Sequence, residues 1–90
     1  DTSYFNFQNT LFMYQIYSPK SDSFRSEYGF NNMPDNNSIV IELTDNPVPV
    51  ASFLPFTDWT EATRHYSVEK VDRKQLILKA DNKKYTFRKF

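Results

Sequence analysis

His65 is the single imidazole in this chain, and a nearby carboxylate would make it a candidate base or ligand. The nearest acids in sequence are Asp58, Glu61 and Glu69. On a strand, His65 and Glu69 share a face but stand roughly 13 Å apart, and a metal site would need further ligands brought from elsewhere. His65 therefore reads as a solvent-facing histidine. Ser67 leaves the strand on the same side, yet a serine relay needs serine, histidine and acid meeting in space. Neither a sharp nucleophile turn nor a glycine-rich oxyanion loop surrounds it.

Two further constellations are simpler than they look. Glu27 and Glu42 flank the turn "NNMPDNNS" and could face each other at the about 5 to 9.5 Å that paired-carboxylate glycoside chemistry uses. Both alternate opposite an apolar face, which makes them exposed sheet residues. "DNKKYTFRK" sets cations around two aromatic rings, a pattern that can stack nucleic-acid bases. By parity Tyr85 and Phe87 belong to the core, while Lys84, Thr86 and Arg88 form a solvated face. The residues thus require no catalytic group, no metal and no cofactor, and small hydrolytic enzymes are the least favoured class.

The stretch "FLPFTDW" is more informative. Phe53, Leu54, Pro55, Phe56 and Trp59 gather large apolar groups where strand periodicity has lapsed, and such groups are costly in water unless buried. Either they plug one mouth of the fold, with Trp59 buried against Phe53 or Phe56, or they line a pocket for an apolar small molecule or a protein partner. Trp59, Phe53 and Phe56, together with Tyr14 and Tyr28 from the strands, are the expected ligand-binding residues.

Positioning them falls to short strands. "SYFNF" alternates, placing Phe5 and Phe7 on one side, and "LFMYQIYS" places Phe12, Tyr14 and Ile16 together. "SFRSEYGFNN" sets Phe24, Ser26, Tyr28 and Phe30 opposite Arg25, Glu27 and Gly29, which predicts the aromatic side as the inner one. Gly29, the only glycine, marks a bulge, a bend at a barrel corner or the close passage of another side chain. With so little glycine, the turns must lean on Asn and Asp. In "MPDNNS", the clearest turn, Pro34 can preset the second turn position and Asp35, Asn36 and Asn37 tolerate left-handed dihedrals. "SIVIELT" turns Ile39, Ile41 and Leu43 inward, "HYSVEKV" Tyr66 and Val68, "KQLILKA" Leu76 and Leu78, and the last strand Tyr85 and Phe87, with Phe90 outward.

Between Asp45 and Thr63 three prolines forbid a continuous ladder, and so long an irregular connection implies a hidden element or a functional loop. Asp58 with Glu61 three residues on has the spacing of a capping box, so a short helical turn bearing Trp59 is predicted there. Seven strands joined mostly by tight turns make an all-β fold, an antiparallel meander curling into a small barrel, with residues 1–90 as one domain. Seven is about the number of strands whose inward side chains can fill the lumen.

Charge and composition narrow the partners. Eleven basic and eleven acidic residues cancel, which argues against nucleic acid. The balance hides a split, with two basic and eight acidic residues in 1–63 against nine and three in 64–90. Facing strands of opposite sign would account for it, and a basic patch for an anionic ligand or membrane headgroup is the alternative. No apolar run is long enough for a transmembrane helix, and the absence of cysteine removes disulfides and thiolate ligands.

The strand pattern itself carries a likeness. "HYSVEKVDRKQLILKADNKKYTFRKF" resembles the last three strands of bacterial lipocalin-like domains, with Tyr66, Val68, Val71, Leu76, Leu78, Tyr85, Phe87 and Lys89 in the expected places. "YFNFQNTLFMYQIY" and "EYGFNNMPDNNSIVIEL" resemble the middle strands of that family. Such domains occur in secreted or lipid-anchored proteins of Bacteroides-type bacteria. The resemblance implies a calycin-type barrel located in the periplasm, anchored at the outer membrane or secreted, and a non-enzymatic binding module whose ligand it does not name. A structural or self-assembly domain with a filled core is the alternative.

One departure bears on assembly. The family usually opens with a Trp-containing strand, whereas here the chain starts at the Phe5 strand and Trp59 lies in the long connection. The expectation is therefore a barrel lacking N-terminal strands, or a shortened one closed by other means. Residues 4–17 carry no charge and no proline, so an exposed edge there would be prone to pairing. N-terminal strands, the 47–55 loop or a second copy paired along the N-terminal edge strand would have to cover it.

Overall fold

The computed structural model describes residues 2–88, so Lys89 and the expected outward position of Phe90 lie outside the described residues. Seven strands follow one another: β1 (Thr2–Gln8), β2 (Leu11–Ser18), β3 (Ser23–Asp35), β4 (Ser38–Leu43), β5 (Thr63–Val71), β6 (Gln75–Ala80) and β7 (Lys83–Arg88). They form one sheet in the order β1-β2-β3-β4-β5-β6-β7, every neighbour antiparallel. This is the expected all-β meander, curled until its ends nearly meet. Phe5 of β1 and Phe87 of β7 stack with ring centroids 4.4 Å apart, although no ladder joins these two strands among the described residues.

The turns show how a chain with one glycine reverses direction. Asn9, Asp22, Asp81 and Asn82 all have positive φ, and these short polar residues tolerate that region best after glycine. The turn after β3 differs from expectation: none of residues 35–37 has positive φ. There the Asp35 carboxylate accepts the Asn37 N–H at 2.8 Å and the Ser38 hydroxyl at 3.1 Å, so a side chain holds the turn instead.

Inside the barrel, Phe12, Tyr14 and Ile16 of β2 meet Ile39, Ile41 and Leu43 of β4, with Tyr66 and Leu78 beyond. Phe5, Val68, Leu76, Tyr85 and Phe87 pack half-buried against this cluster. These faces are the expected ones.

β3 is the exception. Phe24, Tyr28 and Phe30 point outward, 56%, 46% and 50% exposed, whereas Glu27 is fully buried. The register explains the reversal, since Gly29 sits opposite Phe12 and Glu27 opposite Tyr14. A Cβ on Gly29 would stand 2.2 Å from the carbonyl oxygen of Glu42 in β4. Only glycine fits that crossing, and period-two alternation then carries Glu27 inward with it. Glu42 is exposed as expected, so the two glutamates lie on opposite faces.

The connection after β4 also differs in detail. It contains the expected short helical turn, but at α1 (Val50–Phe53) and a following 3-10 turn (Leu54–Phe56), not at Asp58–Glu61. Pro49 precedes the helix and Pro55 sits near the start of the 3-10 turn, positions where a missing N–H costs nothing. The Asp45 carboxylate accepts the Val50 N–H at 2.8 Å, which anchors the start. Asp58 is engaged elsewhere. Among the described residues no helix is long and apolar enough to cross a membrane.

Candidate ligand-binding pocket

The 44–62 connection does not arch over the surface; it folds into the barrel. It first runs beside β3, where Thr44 donates its N–H to Tyr28 O and Tyr28 donates to Asn46 O, both at 2.8 Å. Val48 then donates its N–H to the Glu27 carboxylate at 3.3 Å. Burial, partly offset by that N–H, raises the Glu27 pKa above the ordinary carboxylate value. One of its oxygens has no hydrogen-bond partner. Next, α1 sets Phe53 edge-on to Tyr14 at 5.3 Å, and Phe56 emerges half exposed beneath the Arg25 guanidinium, 3.8 Å from its ring centroid.

Trp59 closes the plug. It is 4% exposed, and its ring lies 5.6 Å from Tyr14, 6.2 Å from Tyr66 and 6.4 Å from Phe5. Burial is as expected, but the partners are strand aromatics. Its position is held through the turn before it, where the Thr57 hydroxyl accepts the Trp59 N–H at 2.9 Å and donates to Leu54 O at 2.9 Å. The chain rejoins the sheet where Leu43 donates to Ala62 O.

Between this plug and the β1/β7 seam a cavity of about 260 Å³ remains. Phe5, Tyr14, Trp59, Tyr66, Tyr85 and Phe87 form its aromatic wall, with Ser3, Phe56, Thr57 and Asp58 around them. Of the expected binding residues, Trp59, Phe56 and Tyr14 meet here. Phe53 supports Tyr14 from behind. Tyr28 does not join them, because β3 turns it outward into a separate groove of about 670 Å³ with Phe7, Leu11, Met13 and Phe30.

A polar chain bounds the aromatic cavity. The Tyr85 hydroxyl donates to the Asp58 carboxylate at 2.5 Å and accepts from Arg64 at 3.1 Å. Arg64 also donates to Asp58 O at 3.4 Å and pairs with the exposed Asp81 at 3.5 Å. Burial and then the bond to Asp58 push the Tyr85 pKa up to about 12. Burial likewise raises Tyr14 and, further, Tyr66, so all three phenols hold their protons at neutral pH. The Trp59 indole lies near enough to the Tyr66 phenol to favour its ionised form slightly, yet the two miss hydrogen-bond geometry. Trp59 Nε1, Tyr66 Oη and Arg64 Nε are buried without a partner.

Sequence reasoning did not single out Arg64 or the Asp58–Tyr85 pair. Arg64 sits two residues before Tyr66 and opposite Ile41, so strand parity alone would have placed it on the inner face. Asp58 carried only its cap spacing, and its bond to Tyr85 spans the fold. His65 and Ser67 are exposed on the outer face. Among the described residues no group of three or more His, Cys, Asp or Glu could hold a metal ion.

Residues 1–90 match the family described as a lipocalin-like domain. Two solved structures are similar over the whole chain. A lipocalin-like protein from Bacteroides uniformis is 24% identical, with a TM-score of 0.80 and 80% of its own chain covered. An uncharacterized protein from Bacteroides eggerthii is 26% identical, with a TM-score of 0.81 and 83% of its chain covered. A search of curated proteins finds no match.

Proposed function

We propose that this chain, which belongs to the lipocalin-like domain family, is a non-enzymatic binding module for a small, mainly apolar ligand, taken up in the cavity between the Trp59 plug and the β1/β7 seam. The carrying observation is that the plug fills the barrel yet leaves a space of about 260 Å³ walled by aromatic rings. Small-ligand sites are concave, mostly apolar and carry a few placed polar groups. We place residues 1–90 as one domain outside the cytoplasm, as the likeness of the closing strands to secreted and lipid-anchored domains implies. The test is NMR titration with single-ring and two-ring apolar compounds. Saturable shifts centred on Trp59, Tyr66 and Phe87 are expected for the smaller set, and shifts scattered over the surface would overturn the reading.

A second reading rests on the seam. β1 and β7 each keep one side without a ladder partner among the described residues, and such edges recruit further strands. Self-association through β1 would then cover the uncharged N-terminal strands. Sedimentation equilibrium over a wide dilution series decides it: a mass above the 10.7 kDa of one chain supports the pairing, and a constant monomer mass removes it.

A further inference from the structure

The outer face of the β6/β7 hairpin gathers charge that its neighbours do not cancel. Residues 64–90 hold nine basic and three acidic residues. Two of those acids are already engaged, Asp72 with Lys70 and Asp81 with Arg64, each at 3.5 Å. By register Gln75 stands opposite Arg88, Ile77 opposite Thr86 and Lys79 opposite Lys84. All six share the outer face, since Leu78 and Ala80 are buried on the other. Like charges set directly opposite each other, as Lys79 and Lys84 are, destabilise a sheet.

At the end of this face, beside the β5/β6 turn, lies a recess of about 560 Å³ lined by Arg73, Lys74, Gln75, Thr86, Phe87 and Arg88. Its lining holds three cations and no carboxylate. Among the described residues none of those three charged groups has an ion pair or a side-chain hydrogen bond. The turn that presents Arg73 and Lys74 is fixed in shape. The Asp72 carboxylate accepts the N–H of Lys74 at 2.7 Å and of Gln75 at 2.9 Å, and the Asp72 N–H donates to Gln75 O at 3.0 Å. Those backbone N–H groups, and then Lys70, hold the Asp72 carboxyl below the ordinary carboxylate value. The adjacent acid is thus bound up within the turn and leaves the recess positive.

Arginine and lysine side chains only donate, and the Gln75 amide and Thr86 hydroxyl can add further donors. A guanidinium presents parallel N–H groups that match a tetrahedral oxyanion, and a concave surface of one sign focuses its field on a ligand. We infer that this recess binds a phosphate monoester group, held by Arg73, Lys74 and Arg88, whether the ester is a free small molecule or a lipid headgroup. Three positive charges exceed what one carboxylate neutralises, which favours a dianion. The recess shares only Phe87 with the aromatic cavity, so this inference goes beyond the pocket reading and does not depend on it.

The test titrates the intact chain with glycerol 3-phosphate, glycerate and glycerol at a pH of about 7.5, above the second phosphate pKa of about 6, and follows NMR shifts. None of the three carries a ring, so the resonances of Trp59 and Tyr66 should stay still, which separates this site from the cavity. Glycerol 3-phosphate should shift Arg73, Lys74, Gln75 and Arg88 saturably and bind about tenfold tighter than glycerate, the ratio that a further charge-assisted hydrogen bond supplies. Arg88→Gln should lose about tenfold, Arg88→Lys, which keeps the charge without the fork, should lose less, and Lys79→Gln, which removes one charge outside the recess, should change little. Equal binding of glycerol 3-phosphate and glycerate would overturn the dianion assignment. Equal losses from Arg88→Gln and Lys79→Gln would reduce the site to a diffuse positive field, and no saturable shift with glycerol 3-phosphate would remove it. Vesicles of phosphatidylcholine with and without phosphatidic acid identify the source. Sedimentation with the acidic vesicles alone, lost in Arg88→Gln, assigns a lipid headgroup, and no sedimentation beside saturable glycerol 3-phosphate binding assigns a free ester.

Discussion

Two of the molecule's concavities invite comparison, and the larger is the poorer candidate. The groove of about 670 Å³ beside Phe7, Leu11, Tyr28 and Phe30 lies at one end of the β1–β3 sheet and takes side chains from both of its faces, buried Phe12 among them. The cavity of about 260 Å³ behind Trp59 is walled mainly by inward aromatic rings. Groove residues such as Leu11 and Phe30 are about half exposed, and no buried side-chain polar atom in its lining lacks a partner. Around the cavity the aromatic rings of Phe5, Tyr14, Trp59 and Tyr66 pack edge-on or tilted against one another. Volume measures where chain is absent, whereas a concave, mostly apolar wall with a few placed polar groups is what a small-ligand site needs.

The comparison breaks most severely at Trp59. Trp59→Ala removes a buried ring touching Tyr14, Tyr66 and Phe5, and the expected loss is about 3 to 5 kcal/mol, the range for large aromatic truncations in a core. Denaturant midpoints measure it. The native protein supplies a check, since the single Trp should emit at short wavelength and resist iodide quenching. Red-shifted, freely quenched emission would mean the plug stands open and the small cavity does not exist as described.

Gly29 joins the two regions, because it lines the groove while its inner side faces β4. Gly29→Ala places a methyl where 2.2 Å separates it from a backbone oxygen that cannot swing aside. The expected cost is about 1 to 3 kcal/mol by overpacking. A neutral result would mean β3 and β4 can slide apart, and with them the reversal that buries Glu27.

That reversal marks where sequence reading stopped. β2, β4, β5, β6 and β7 were legible because their inner faces are the more apolar by period two, and the cavity's Phe5, Tyr14, Tyr66, Tyr85 and Phe87 all sat on faces assigned inward. β3 offers Phe24, Tyr28 and Phe30 on one face against Arg25, Glu27 and Gly29 on the other, so hydrophobicity pointed the wrong way. What decided the matter was a backbone crossing between Gly29 and Glu42, a tertiary fact that alternation does not encode. Asp58 escaped for a related reason. Its spacing to Glu61 suits a helix start, but its partner Tyr85 lies 27 residues on and becomes a neighbour only after the barrel curls.

Buried Glu27 then gives a pH signature. Burial raises its folded-state pKa, so the folded protein holds this proton more tightly than the unfolded chain. Stability from this group is full below the unfolded value of about 4.3 and declines as pH rises through the folded pKa, because ν_N exceeds ν_U across that window. Glu27→Gln keeps an acceptor for the Val48 N–H and cannot ionise. Its denaturation midpoint should exceed that of the parent at neutral pH, and the difference should shrink as the pH falls toward 4. A gap that persists unchanged at acid pH would mean Glu27 is not buried as a titrating carboxyl.

The smallest effect is expected where the large groove is cut. Phe30 is half exposed, faces outward and pairs with Leu11 across the β2/β3 ladder, so only about half of its surface leaves water on folding. Phe30→Ser should cost about 1 kcal/mol, from partial apolar burial and lost strand propensity. Affinity for single-ring apolar compounds should stay at the parental value, because nothing on the inner face moves. The same variant also tests the groove as a rival site: if a bound probe reports through Tyr28 and Phe30 resonances and is lost on Phe30→Ser, the ranking of the two concavities reverses. If instead the Trp59 and Tyr66 signals respond identically in parent and variant, the cavity behind the plug, not the larger apolar surface, determines where a ligand goes.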